Sequence, residues 1–189
     1  MSTKFQTDIA QNEGEILWFL ELLRQQKVAS YLEIGSRYGG SLWRVASVLP
    51  PGARLVAVDF PDSAGGRSDS LDSLTACVAE LCAGGFDAHV IFGDSTDPTI
   101  IEQVRALGPF DCCFIDANHT LPFVTQDWSH YGPMARMVAF HDIRWRRAAD
   151  WVGRRIDVPL LWNGLKRQYR HAELMLEKKN NGIGVLWRT

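Results

Sequence analysis

Between residues 31 and 142 the chain repeats one pattern five times: a short apolar run, a carboxylate at or just beyond its end, then a stretch of helical spacing. The runs occupy 31–34, 54–58, 88–92, 110–115 and 136–140, and the acids are Glu33, Asp59, Asp94, Asp116 and Asp142. Apolar runs without polar alternation suit strands covered on both faces. Strands alternating with helices predict a parallel sheet wrapped by helices and joined by right-handed crossovers. In such a sheet the strand ends share one edge, and ligands bind where the strand order reverses. A row of carboxylates there is costly unless something positive or rich in donors meets it.

The intervening helices have clear punctuation. One is expected over 13–27, with Ile16, Leu17, Leu20 and Leu23 on one face. A second carries Leu42, Trp43, Val45 and Leu49 and stops at Pro50-Pro51-Gly52. A third runs through Leu71, Leu74, Val78 and Leu81 after a polar loop over 61–69. Asp97 and Pro98 open a fourth, and Pro122 sits in the first turn of a fifth that ends at Gly132-Pro133. Spacing predicts a further helix over 144–156, a turn-rich stretch over 158–164, and a hairpin of 171–177 with 183–187.

With 189 residues and 46% hydrophobic content, the chain is expected to form one domain over 1–189, a helical cap over 1–29 and a core over 30–189. A formal charge of -2 gives no global reason to expect nucleic acid as a partner. No apolar run reaches the roughly 20 residues of a membrane span, and the N-terminus lacks a signal-peptide core, so a cytoplasmic protein is expected. Cys77, Cys82, Cys112 and Cys113 show no paired metal or redox spacing and read as small buried side chains.

The first strand leads into Glu33-Ile34-Gly35-Ser36-Arg37-Tyr38-Gly39-Gly40-Ser41. Glycines here let the backbone turn or approach a ligand, and the N–H groups of a following helix favour an anionic group. Neither a dinucleotide fingerprint nor a P-loop fits this spacing. The pattern Glu-x-Gly-x-x-x-Gly-x-Ser resembles motif I of class I S-adenosylmethionine (SAM)-dependent methyltransferases. Phe114-Ile115-Asp116-Ala117-Asn118-His119 and Val138-Ala139-Phe140-His141-Asp142 further resemble the small methyltransferase family that includes macrolide-sugar O-methyltransferases and cephalosporin-hydroxylase-like proteins.

That resemblance implies an α/β fold: a Rossmann-like, doubly wound, mostly parallel seven-stranded sheet with a C-terminal antiparallel hairpin. It implies that Glu33, Gly35, Ser36, Gly39, Ser41, Asp59, Asp94, Ser95 and Asp116 line the SAM site. Asp59 would take the ribose hydroxyls, Asp94 with Ser95 the adenine, and Ser41 with the turn amides the SAM carboxylate. Catechol-type relatives follow the second acid with an amide ligand, whereas Ile143 follows Asp142 here.

The chemistry can be argued from residue types. Asp116 and Asp142 are hard oxygen ligands suited to Mg2+, which would orient an acceptor hydroxyl and lower its pKa. His119, three residues beyond Asp116, is placed to take the proton. His141 reads as a further metal ligand, a carboxylate partner or a buried ring. The expected activity is O-methylation of a small-molecule or sugar hydroxyl, with Asp116 and His119 catalytic. Transfer to nitrogen or RNA, or a SAM- or nucleotide-binding accessory role, are the alternatives. Arg144, Arg146, Arg147, Arg154 and Arg155 read as a solvated helix face or as a clamp for an anionic acceptor. A homodimer that completes the acceptor pocket is a further expectation.

Overall fold

The computed structural model describes residues 11–60, 70–145, 153, 155–176 and 180–188. Its centre is a sheet of seven strands in the order β3-β2-β1-β4-β5-β9-β7. The strands are β1 (Ser30–Ile34), β2 (Arg54–Asp59), β3 (Asp87–Phe92), β4 (Phe110–Ile115), β5 (Ala135–Phe140), β7 (Arg170–Leu174) and β9 (Ile183–Trp187). The first five pair in parallel, and β9 enters antiparallel between β5 and β7. The expected sheet, with its antiparallel C-terminal pair, is what forms.

The apolar runs are continuous because each strand feeds two cores. Along β4, Cys112 and Phe114 face one core and Cys113 and Ile115 the other. Leu55 and Ala57 likewise oppose Val56 and Val58 along β2. The first core is covered by α1 (Glu13–Gln25), α2 (Gly40–Ala46) and α3 (Ser70–Ala83); the second by α4 (Pro98–Leu107), α5 (Leu121–Tyr131) and α6 (Val158–Leu165). All three cysteines within the sheet and its α3 contact, Cys77, Cys112 and Cys113, are free and buried, whereas Cys82 is exposed.

Helix α1 begins at Asn12, whose side chain accepts from the Gly14 N–H at 3.0 Å. Its Phe19 is fully buried against Phe114 of β4, with ring centroids 5.2 Å apart. One turn earlier, the buried Glu15 carboxylate accepts the N–H groups of Leu176 at 2.8 Å and Gly182 at 2.9 Å. That carboxylate ties the start of α1 to the C-terminal hairpin.

Two expectations after β5 are corrected. Arg144–Trp145 forms a short strand, β6, paired with β8 (Asn180–Asn181), and no helix begins there; most of the remaining stretch to 156 lies outside the described residues. The stretch expected to be turn-rich is instead helix α6. Pro159 is in its first turn, where no N–H is needed, and Trp162 packs, 1% exposed, over Gly184, where an added Cβ would lie 2.5 Å from the indole. The loop over 61–69 and the hairpin tip over 177–179 lie outside the described residues.

Candidate active site

Strand order reverses between β1 and β4, and the loops leaving them touch. The Asp116 N–H donates to Ile34 O at 2.9 Å and the Gly35 N–H to Val58 O at 2.8 Å, so the loops leave the sheet still paired. Gly35 has φ +90°, and a Cβ there would lie 2.5 Å from the Asp116 carbonyl oxygen. Only glycine fits this junction. Gly39, at φ +88°, abuts the Cys77 side chain in the same way.

The acids at the strand ends separate into different environments. Asp59 turns its Oδ2 onto the glycine loop, accepting the Ser36 N–H at 2.7 Å and the Arg37 N–H. Burial raises its pKa against these donors. Glu33 is fully buried and accepts from Ser41 Oγ at 2.6 Å and Tyr31 Oη at 2.9 Å, burial pushing its pKa up to about 7. The hydroxyl of Ser41 is thus given to Glu33. Asp94 is exposed, and its Oδ1 accepts from Thr96 N and Oγ1, both at 2.8 Å. Ser95 donates to Asp127 Oδ1 at 2.7 Å, and Tyr131 Oη donates to Ser95 O at 2.6 Å.

Asp116 and Asp142 come together with two histidines. His119 lies with Nε2 3.2 Å from Asp116 Oδ1 and Nδ1 3.5 Å from Asp142 Oδ2. His141, 4% exposed, places Nδ1 3.2 Å from Asp116 Oδ1 and 3.5 Å from Asp142 Oδ1. Asp142 adopts φ +55°, a left-handed conformation that aspartate tolerates better than most residues. Atoms of Asp116, His119 and Asp142 all lie within 4.8 Å of one another, a spacing that could hold a metal ion. His141 pairs with both carboxylates but stands outside that trio.

Charge compensation shapes the cluster. Burial would raise Asp116, but the charge of His141 and the hydrogen bond from His119 hold it well below the usual carboxylate range. Burial would lower both histidines, yet the two carboxylates overcome it, raising His119 and pushing His141 up to about 9. Asp142 is raised by burial. For Asp116 and Asp142, two of the five strand-end acids, His141 supplies a compensating positive charge from the protein itself.

Three side chains near the strand ends had no sequence signal. Gln11 donates from Nε2 to Asp116 Oδ2 at 2.6 Å across 105 positions. Glu15 binds the hairpin as described above. Asp127, fully buried on α5, holds Ser95, and burial pushes its pKa up to about 7. Each bond joins residues too distant for periodicity or spacing to reveal.

Of the basic cluster, Arg144 lies on β6 and Arg155 pairs with Asp157 at 3.0 Å; Arg146, Arg147 and Arg154 lie outside the described residues. No helix among the described residues is long and apolar enough to cross a membrane.

A family described as a methyltransferase domain matches residues 32–143, more than half of the chain. The chain belongs to this methyltransferase family, which bears out the resemblance drawn from the glycine loop and the two acid motifs. No curated protein matches the sequence. Among solved structures, the O-methyltransferase TomG from Streptomyces achromogenes, involved in tomaymycin synthesis and in complex with SAM, is 19% identical; the match covers 97% of this chain and 83% of that one at a TM-score of 0.68. An O-methyltransferase from Bacillus cereus in complex with S-adenosylhomocysteine (SAH) is 14% identical, with 98% and 86% covered and a TM-score of 0.70. The SAH-bound methyltransferase PaMTH1 of Podospora anserina is 17% identical, with 98% and 85% covered and a TM-score of 0.62. At these identities the likeness is one of fold.

Proposed function

We propose that this methyltransferase moves the methyl group of SAM to a hydroxyl of a small molecule or sugar, with a divalent cation assisting and His119 as base. The observation that carries the reading is the meeting of Asp116, His119 and Asp142 beside the crevice where strand order reverses. TomG and the B. cereus enzyme, which share the fold, are O-methyltransferases bound to SAM and SAH.

The residues present suit both groups. SAM brings a sulfonium, an ammonium and a ribose diol, and Asp59 after β2 and Asp116 after β4 are acceptors on either side of β1. Asp59, already fixed by two loop amides, is the group for the diol. Asp94 and Ser95, at the end of β3, lie along the same sheet edge for the base. Asp116 and Asp142 are the hard oxygen donors that a Mg2+-like ion takes. Bound there, such an ion would polarise the acceptor hydroxyl and fix its direction.

Proton handling falls to His119. As the acceptor oxygen gains the methyl group, the sulfur keeps the electron pair of the broken bond and the hydroxyl proton must leave. His119 receives it at a ring nitrogen, and the two carboxylates stabilise the resulting imidazolium. His141, held charged between the same carboxylates, offsets their charge without needing to exchange protons.

The test uses methyl-labelled SAM and a panel of catechols, phenols and sugars. Label is expected on a hydroxyl oxygen. His119→Ala should lower kcat roughly 10²- to 10⁴-fold while SAH affinity stays within about threefold. Label on an amine, or an undiminished kcat in the variant, would contradict the reading.

A further inference from the structure

Gln11 stands just before the N-cap of α1, and its amide reaches the cluster beyond the ends of β4 and β5. The residue is 8% exposed. Its Nε2 is used on Asp116, whereas Oε1 is shut from solvent with no hydrogen-bond partner among the described residues. Asp142 Oδ1, in the same cluster, is also buried and makes no hydrogen bond among the described residues, with His141 Nδ1 3.5 Å away. Unmet acceptors in a folded interior are rare, since each has given up water for nothing.

The position is built. Asn12 caps the helix that follows, Glu15 ties that helix to the hairpin through two backbone N–H groups, and Phe19 packs it on Phe114, two residues before Asp116. If Gln11 served only to donate a hydrogen bond to Asp116, its carbonyl oxygen would be a pure cost. Asp116 Oδ1 already has both histidines within 3.2 Å. Two buried oxygens, Gln11 Oε1 without a donor among the described residues and Asp142 Oδ1 with His141 Nδ1 3.5 Å away, are satisfied together by one hard cation, which takes carboxylate and neutral amide oxygens alike. Ile143, next after Asp142, has no side-chain oxygen to give.

We propose that Gln11 is a ligand of the divalent cation, its Oε1 supplying a neutral amide oxygen beside Asp116 and Asp142. The proposal rests on the metal reading of the proposed function. It makes the cation a joint between the start of the N-terminal helix and the ends of β4 and β5.

The test uses Mn2+ as the probe, with the intact protein and the variants Gln11→Ala and Gln11→Glu. Electron paramagnetic resonance of free Mn2+ gives the affinity, and water-proton relaxivity of the bound ion gives its number of exchanging waters. Gln11→Ala is expected to bind Mn2+ at least about tenfold more weakly and to carry one more water on the ion. Gln11→Glu, which keeps an oxygen in place, is expected to retain the wild-type water number. An unchanged water number in Gln11→Ala, whatever its affinity, would show that the amide acts only on Asp116 and would overturn the proposal. A wild-type protein that binds SAH but no Mn2+ would overturn the metal reading, and this proposal with it.

Discussion

At the scale of single residues, the same side-chain type does different work according to what surrounds it. Asp116 is kept ionised by two histidines, while Asp127 has only the Ser95 hydroxyl and is pushed up to about 7 by burial. A folded-state pKa above the ordinary 3.8 means that the folded protein holds the proton more tightly. The stability this contributes is fully present below pH 3.8 and is lost as pH rises through about 7. Asp127→Asn removes that dependence. Urea denaturation of protein and variant at pH 5 and pH 8 should show the difference moving in the variant's favour, by up to about 1.4 kcal/mol per pH unit across the titration. A difference that is the same at both pH values would contradict the assignment. The residue-level legibility of the site follows the same division. Asp59, Asp116, His119 and Asp142 were visible because they sit at fixed offsets from strand ends. Gln11, Glu15 and Asp127 were not, because burial and partnership are made by tertiary contact. Glu33 and Ser41 were visible as motif members, but their mutual hydrogen bond inside the fold was not.

At the scale of elements, the parallel half of the sheet could be read because each strand carries its own evidence: an apolar run, an acid and a punctuated helix. After β5 that evidence fails. Arg144–Trp145 pairs with Asn180–Asn181, a contact between two short polar-flanked pieces that no local spacing announces. Helix α6 contains Pro159, Asn163 and Gly164, which look like turn residues, yet burial of Trp162 and Leu165 decides the outcome. The junction of α1 with the hairpin is another such tertiary device, and Glu15 is its pivot. Glu15→Ala would leave the buried Gly182 N–H without its acceptor, at about 1–3 kcal/mol, and the partly buried Leu176 N–H, at about 1 kcal/mol. Chemical denaturation should show a loss of roughly 2–4 kcal/mol, and hydrogen exchange should show faster exchange at Gly182 than at Val138 in the middle of β5. Glu15→Gln, which keeps one accepting oxygen, should recover about half of that loss. Wild-type stability in Glu15→Ala would contradict the role.

At the scale of the whole molecule, the fold brings to one edge what the chain spreads from residue 11 to residue 142. Parallel strands bring Asp59, Asp116 and Asp142 to that edge, while Gln11, just before α1, reaches it and α1 is fastened by the hairpin. In the proposed function the glycine loop and Asp59 are the cofactor side, and the Asp116, His119 and Asp142 cluster is the side where the acceptor reacts. The crevice is proposed to bind SAM, and calorimetric titration with SAH decides it. The protein is expected to bind SAH with one-to-one stoichiometry, and Asp59→Ala, which removes the proposed acceptor of the diol and frees the loop amides, should weaken binding roughly 10- to 100-fold. Absence of SAH binding by a folded protein, or full affinity in Asp59→Ala, would contradict the account.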